Sequence, residues 1–221
     1  MVKDILDFLK KLAANNNREW FQLNKSKYEA AKTEVDVIVA ELLKEISVFD
    51  SDIKFTTPKD CVFRIYKDVR FSHDKTPYKT NMGAIIRKGG RGGPNYAGYY
   101  LHFEPGGCFL AGGIWMPEAP LLKAIRSEIL YNTDVYLKLI NDKQFKKYFG
   151  EIDGEKLVNA PKDFPKDFEH IELLKLKSYN MMHFYDPSAM TQKELVKYVV
   201  KMFKLMKPYN DFLNHVVPEA L

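Results

Sequence analysis

The chain has 221 residues, 46% of them hydrophobic and 14% aromatic, and a formal net charge of +5 at neutral pH. A domain of this length buries roughly 70% of its unfolded surface, its hydrophobic and aromatic content excludes disorder, and two cysteines without CxxC or Cys/His spacing argue against a disulfide scaffold or structural zinc. Charges recur through residues 1–11 and no window approaches ~18 uncharged apolar residues, so neither a signal peptide nor a membrane span is expected and the protein reads as cytoplasmic.

Ile5, Leu6, Phe8, Leu9 and Leu12 form one stripe of an N-terminal helix, and Asn15–Asn17 ends it because asparagine prefers caps and turns to helix interiors. A second helix carries Tyr28, Ala31, Val35, Ile38, Leu42 and Ile46 at spacings of three or four, with Trp20 and Phe21 anchoring its start. After Thr57-Pro58 the period changes to two. Cys61, Phe63, Ile65 and Val69 fall on one side of a predicted strand, and Arg64, Tyr66, Asp68 and Arg70 on the other. Strands are also expected over residues 82–88, 98–104 and 108–116, linked by a flexible glycine-rich stretch at 89–95 and the tight turn Pro105-Gly106-Gly107.

Pro117 to Pro120 opens a helix bearing Leu121, Leu122, Ile125, Ile129 and Leu130, and a shorter helical stretch passes through Tyr136 and Ile140. Asp153-Gly154 predicts the turn of a small hairpin, and residues 173–185 contain a late strand that rejoins the sheet. Thr191 and Glu194 form a capping box for the last helix, whose apolar face is Leu195, Tyr198, Val199, Met202, Phe203 and Met206. Pro208 is expected to kink or end it. No linker or repeat divides the chain. The expectation is a single α+β domain, 1–221, with an antiparallel meander sheet and the N- and C-terminal helices packed on it.

Charge is unevenly spread. Nine basic residues between Lys59 and Arg91 face three acidic ones, a local +6 that leaves −1 for the remainder. Such an excess attracts anions more strongly than a uniform charge does. Its densest part is Arg64-Ile65-Tyr66-Lys67-Asp68-Val69-Arg70-Phe71-Ser72-His73-Asp74-Lys75-Thr76-Pro77-Tyr78. This run resembles the hallmark R-x-x-R-D-x-R-F-x-x-D-K-x-P-Y of an uncharacterised family, domain of unknown function 2461. Arg64, Asp68, Arg70, Phe71, Asp74, Lys75, Pro77 and Tyr78 match it. Lys67 stands where the hallmark has a second arginine, keeping the charge but losing the planar fork. The resemblance covers nearly the whole chain, with Asn15-Asn16 to Trp20-Phe21 and residues 171–178 also similar, and it implies no catalytic mechanism.

The candidate ligand-binding residues are Arg64, Lys67, Asp68, Arg70, Asp74, Lys75 and Tyr78. Arginine forks match carboxylate or phosphate oxygens two at a time, and basic groups remain after each acid is paired. The expected partner is a phosphate-bearing small molecule or a nucleic acid. If residues 98–104 pair nearby, Tyr100, His102 and Glu104 share the polar sheet face. Catalysis stays open, with Asp68 as candidate general base or metal ligand and Tyr78 or His102 as candidate proton donor. Two other readings stay open as well, a salt-bridge lattice that fixes a turn and a protein-interaction surface. Asp68, Asp74 and Glu104 make a weaker magnesium set. The histidines stand far apart and no phosphate loop, HExxH or GxSxG pattern is present, so no metal site or cofactor is assigned.

Overall fold

A computed structural model describes residues 2–70, 73–152 and 154–217. The chain opens with α1 (Val2–Ala14), whose Ile5, Phe8, Leu9 and Leu12 are buried at helical spacing. Asn17 then caps α2 (Arg18–Leu23), its side-chain oxygen accepting from the Trp20 N–H at 2.9 Å. The long α3 (Lys25–Ile46) buries Ala31, Val35, Ile38, Val39, Leu42, Leu43 and Ile46 and packs on α1. Each large aliphatic group in that seam contributes ~1.5–3 kcal/mol relative to exposure, so burial rather than helix propensity holds α3.

Residues 61–70 do not form the expected strand. Pro58 at a first helical position and a capping box between Thr57 and Asp60 draw Cys61 into α4 (Pro58–Cys61). Beyond it the backbone divides its partners. Val62 bridges Ala84, while Tyr66 bridges Tyr78 within the charged run itself. A segment that pairs with two different neighbours over so few residues builds no ladder. The apparent alternation was also uneven, since Ile65 is buried but Phe63 remains 36% exposed.

The sheet proper consists of β1 (Met82–Ile86), β2 (Gly98–Phe103), β3 (Phe109–Ile114) and β4 (Tyr179–Phe184). Its order is β1-β2-β3-β4, an antiparallel meander completed by the late strand, and the fold is α+β. A turn closed by the Gly107 N–H on the Glu104 carbonyl at 3.0 Å joins β2 to β3. Helices α5 (Ala119–Tyr131), α6 (Thr133–Ile140), α7 (Lys143–Phe149) and α8 (Ile171–Lys175) fill the excursion between β3 and β4. The hairpin expected at Asp153-Gly154 has its first turn residue outside the described residues, and Lys156 nearby makes an isolated bridge to Leu176. The final helix, α9 (Gln192–Asn214), starts at the Thr191–Glu194 capping box. It does not end at Pro208 but continues to Asn214, because Tyr209, Phe212 and Leu213 beyond the proline are buried and hold it in place.

By its internal contacts the chain divides into two compact units. The first comprises Met1–Gly92, Tyr100–Leu110 and Phe184–Lys204. In it α3 packs on α1 and on β1, and Tyr185 stacks on Tyr198 with ring centroids 5.6 Å apart. The second comprises Gly93–Tyr99, Ala111–His183 and Leu205–Leu221. Its core holds Tyr136 and Tyr209, whose hydroxyls lie 3.2 Å apart. Buried Asn210 ties it further, accepting from the Gly113 N–H at 2.8 Å and donating to the Gly98 carbonyl at 3.0 Å. Among the described residues no helix is long and apolar enough to cross a membrane.

Candidate functional site

All the candidate site residues lie in the first unit. The charged run is held at its exit by Tyr78, which is buried and stacks on Phe21 at 3.9 Å between ring centroids. Asn16 grips the Tyr78 backbone from both sides, and Tyr66 completes the aromatic group at 5.5 Å from the Tyr78 ring. Tyr78 therefore anchors the run through its ring and backbone. Burial raises its phenol pKa.

Within the run the charges pair with one another. Arg70 chelates Asp68, Nε to Oδ1 at 2.9 Å and Nη2 to Oδ2 at 2.7 Å. This fork holds the exposed Asp68 carboxyl below its ordinary pKa. Lys67 Nζ meets Asp74 Oδ2 at 2.6 Å and Thr76 Oγ1 at 2.8 Å. Asp74 also accepts from the Thr76 N–H, and Lys67 first, then Thr76, pull its pKa well down. Lys75 donates to the Val69 carbonyl at 3.0 Å. Phe71 lies outside the described residues. Five of the seven candidates thus form an internal frame.

Arg64 stands apart from that frame. Among the described residues it forms no ion pair, and it lines an open groove of about 570 Å³. Lys32, Lys59 and Arg91 line the same groove, whose one acid, Asp36, is salt-bridged to Lys32. Arg91 Nη2 donates to the Lys59 carbonyl at 2.9 Å, fixing that guanidinium at the groove wall. Lys79 lies nearby, 5.4 Å from the Phe63 ring centroid, with Arg91 at 5.8 Å from the same ring. Burial chiefly, then the like charges of Arg64 and Arg91, lower the pKa of Lys79. Asp60 faces Lys59 and Arg91, and Asp68 faces Arg64, so the field is partly offset, but the cations still outnumber the acids around the groove.

The sequence pointed to Arg64 but not to Lys32 or Tyr28, which α3 supplies. Tyr28, expected in the apolar stripe of this helix, is half-buried and forms with Lys32 and Asp36, four residues apart each, one ridge beside the buried seam. That spacing was the available signal. Lys59 and Arg91 belong to the basic segment, but their spacing along the chain does not place them at the site.

Tyr100, His102 and Glu104 do share one face, opposite buried Tyr99, Leu101 and Phe103. His102 is 7% exposed and stacks on Phe109 at 4.3 Å. Its Nε2 lies 3.2 Å from Glu104 Oε2 and its Nδ1 3.0 Å from the Tyr100 hydroxyl. An ionised carboxylate only accepts, so Nε2 carries the proton and Tyr100 donates to Nδ1. Burial lowers the His102 pKa although Glu104 opposes it, and burial with Glu104 pushes Tyr100 up to about 12. Gly83 leaves room for this phenol, since a Cβ there would fall 2.4 Å from its oxygen.

The carboxylates of the weaker magnesium set are committed separately, Asp68 to Arg70, Asp74 to Lys67 and Glu104 to His102. Among the described residues no group of three His, Cys, Asp or Glu side chains is placed to hold a metal ion. Both cysteines are free and buried. Burial pushes the Cys61 thiol up to about 12 and raises that of Cys108, so neither is an activated nucleophile.

These features define an α+β protein with an internally braced charged run beside a cationic groove. The chain belongs to the family described as conserved hypothetical protein (DUF2461), whose model matches residues 4–212. No curated protein and no solved structure matches the chain.

Proposed function

We propose that the protein binds a phosphate-bearing or otherwise anionic ligand in the groove beside Arg64, in a reducing, cytoplasmic setting consistent with its free thiols. One observation carries the reading. Four cations line the groove against a single acid that is already paired, and Lys79 adds a fifth positive charge alongside. In this reading Arg64 and Arg91 grip the anion. The paired residues Lys67, Asp68, Arg70, Asp74 and Lys75, with Tyr78, brace the loop that presents Arg64.

The enzymatic alternative built on Asp68 has less support. A general base needs a sheltered carboxylate aimed at substrate, whereas Asp68 is exposed and chelated by its own neighbour.

Calorimetric titration with inorganic pyrophosphate tests the binding reading. Wild-type protein is expected to bind with an affinity that falls as salt rises, and Arg64→Ala or Arg91→Ala should weaken it about tenfold, the loss of one charge-assisted hydrogen bond. Lys146→Ala on α7 should leave it within about twofold, since an exposed charge outside the groove contributes little. No salt-sensitive binding, or equal binding by all variants, overturns the proposal.

A further inference from the structure

We infer that the groove's ligand is a nucleoside phosphate, its base laid against Phe63 and its phosphates held by Arg64 and Arg91. This rests on the anion-binding reading and adds a substrate class to it.

The argument comes from the groove's second half. Besides its cations it is walled by Tyr28, Pro58, Val62 and Phe63, an apolar side that a purely inorganic anion does not need. Phe63 is the decisive residue. It lies two residues beyond the end of α4 and immediately precedes Arg64, and the residue stays 36% exposed although Cys61 and Ile65 two places to either side are buried. A phenylalanine exposed to this degree, with the Lys79 ammonium and the Arg91 guanidinium over its ring at 5.4 and 5.8 Å, gives a stacking surface that a base reaches as its phosphates draw those cations toward themselves. Aromatic stacking with basic groups along the backbone is how sequence-tolerant nucleotide sites are built, and stacking contributes ~1–3 kcal/mol per base.

The backbone pins this ring. The Phe63 N–H donates to the Gly83 carbonyl at 2.9 Å, and the ring meets Tyr100 edge-on at 6.2 Å. The groove's size suits a small ligand, since such sites run from about 300 to 1,000 Å³.

The test compares ADP with pyrophosphate, the same diphosphate with and without a nucleoside, by calorimetry on wild type and Phe63→Leu. ADP should bind wild type at least about fivefold more tightly, the low end of one stacking contribution. Phe63→Leu should erase that advantage while leaving pyrophosphate binding intact, which also shows that the variant is folded. If ADP and pyrophosphate bind wild type equally, or Phe63→Leu lowers both alike, the nucleoside assignment falls and the anion site stands. If neither binds wild type, both readings fall. A short single-stranded oligonucleotide separates the two sources of this chemistry. Tighter binding than ADP assigns the groove to a nucleic-acid strand, and weaker or equal binding assigns it to a free nucleotide.

Discussion

The side chain of Asn16 pairs with the backbone of Tyr78, 62 residues away, donating from Nδ2 to the Tyr78 carbonyl at 2.9 Å and accepting from its N–H at 3.1 Å. The end of the first helical segment thereby holds the end of the charged run. Replacing Asn16 by alanine leaves both Tyr78 backbone groups without that partner. We expect a cost of about 1–3 kcal/mol in urea denaturation. Asn16→Asp keeps the acceptor but sets a carboxylate oxygen against the Tyr78 carbonyl, so it should cost at least as much. An unchanged midpoint in Asn16→Ala would mean that the Phe21–Tyr78 stack alone holds the run.

Asp68 and Asp74 should respond differently to neutralisation. Asp68 is exposed and its hydrogen bonds among the described residues run to its neighbour Arg70, with Arg64 acting at longer range, so Asp68→Asn should move the melting temperature by no more than about 2 °C. Asp74 collects Lys67 together with the backbone and hydroxyl of Thr76. Asp74→Ala should therefore open residues 64–78 to limited proteolysis while leaving distant sites protected. Equal protease resistance in both variants would remove Asp74 from the frame.

His102 should leave a mark on stability between roughly pH 5 and 7. Its folded pKa lies below the ordinary value of 6.5, so as pH falls through that value the unfolded chain takes up the proton more readily than the folded chain. Stability is then full above that value and falls as pH drops through it. Asp74 and Asp68, whose pKa values are lowered, lose their contribution only nearer pH 4 and below, which separates the two effects. Thermal melts of wild type should fall from pH 7 to 5, and His102→Gln should flatten that slope. A wild-type profile that is flat over the window would sink the assignment.

Gly113 and Gly112 are neighbours with opposite tolerance. Gly113 has φ +96°, and a Cβ there would lie 2.1 Å from the Tyr179 carbonyl oxygen on the paired strand. Gly113→Ala should cost at least ~3 kcal/mol from strain and lost pairing, or fail to fold. At Gly112 the nearest obstacle is the Met206 thioether, 2.8 Å from the built Cβ, which can turn away, while the Met206 Cβ at 3.2 Å requires a shift of a few tenths of an ångström. Gly112→Ala should cost much less. Comparable losses from both would mean that Met206 has no alternative rotamer.

Much of this architecture is written locally. The seams of α1 and α3 follow helical spacing, the Thr191–Glu194 box marks the start of α9, and the alternation in β2 places Tyr100, His102 and Glu104 together. The misread strand at 61–70 shows where local pattern loses. Its alternation is genuine for Cys61 and Ile65, but Pro58 and Asp60 favour a helical turn, and backbone partners 12 and 22 residues downstream divide the rest. Helix α7 escaped notice because its three lysines hide the buried Phe145 and Phe149. The groove was half visible. Arg64 and Arg91 belong to one charged segment, but Lys32 arrives from α3 through tertiary packing, which no spacing along the chain encodes.

The two buried thiols make the first unit its own timekeeper. A thiol shielded from solvent reacts with a disulfide reagent only when its surroundings open, so modification rates in the native state count openings directly. Cys61 closes the short α4 turn that begins with groove residues Pro58 and Lys59, whereas Cys108 sits after the β2–β3 turn with its Sγ on the Glu104 carbonyl. The pair thus samples two separate doors with one chemistry. A molecule settling in the groove would slow the clock at Cys61 and leave Cys108 running at its former pace.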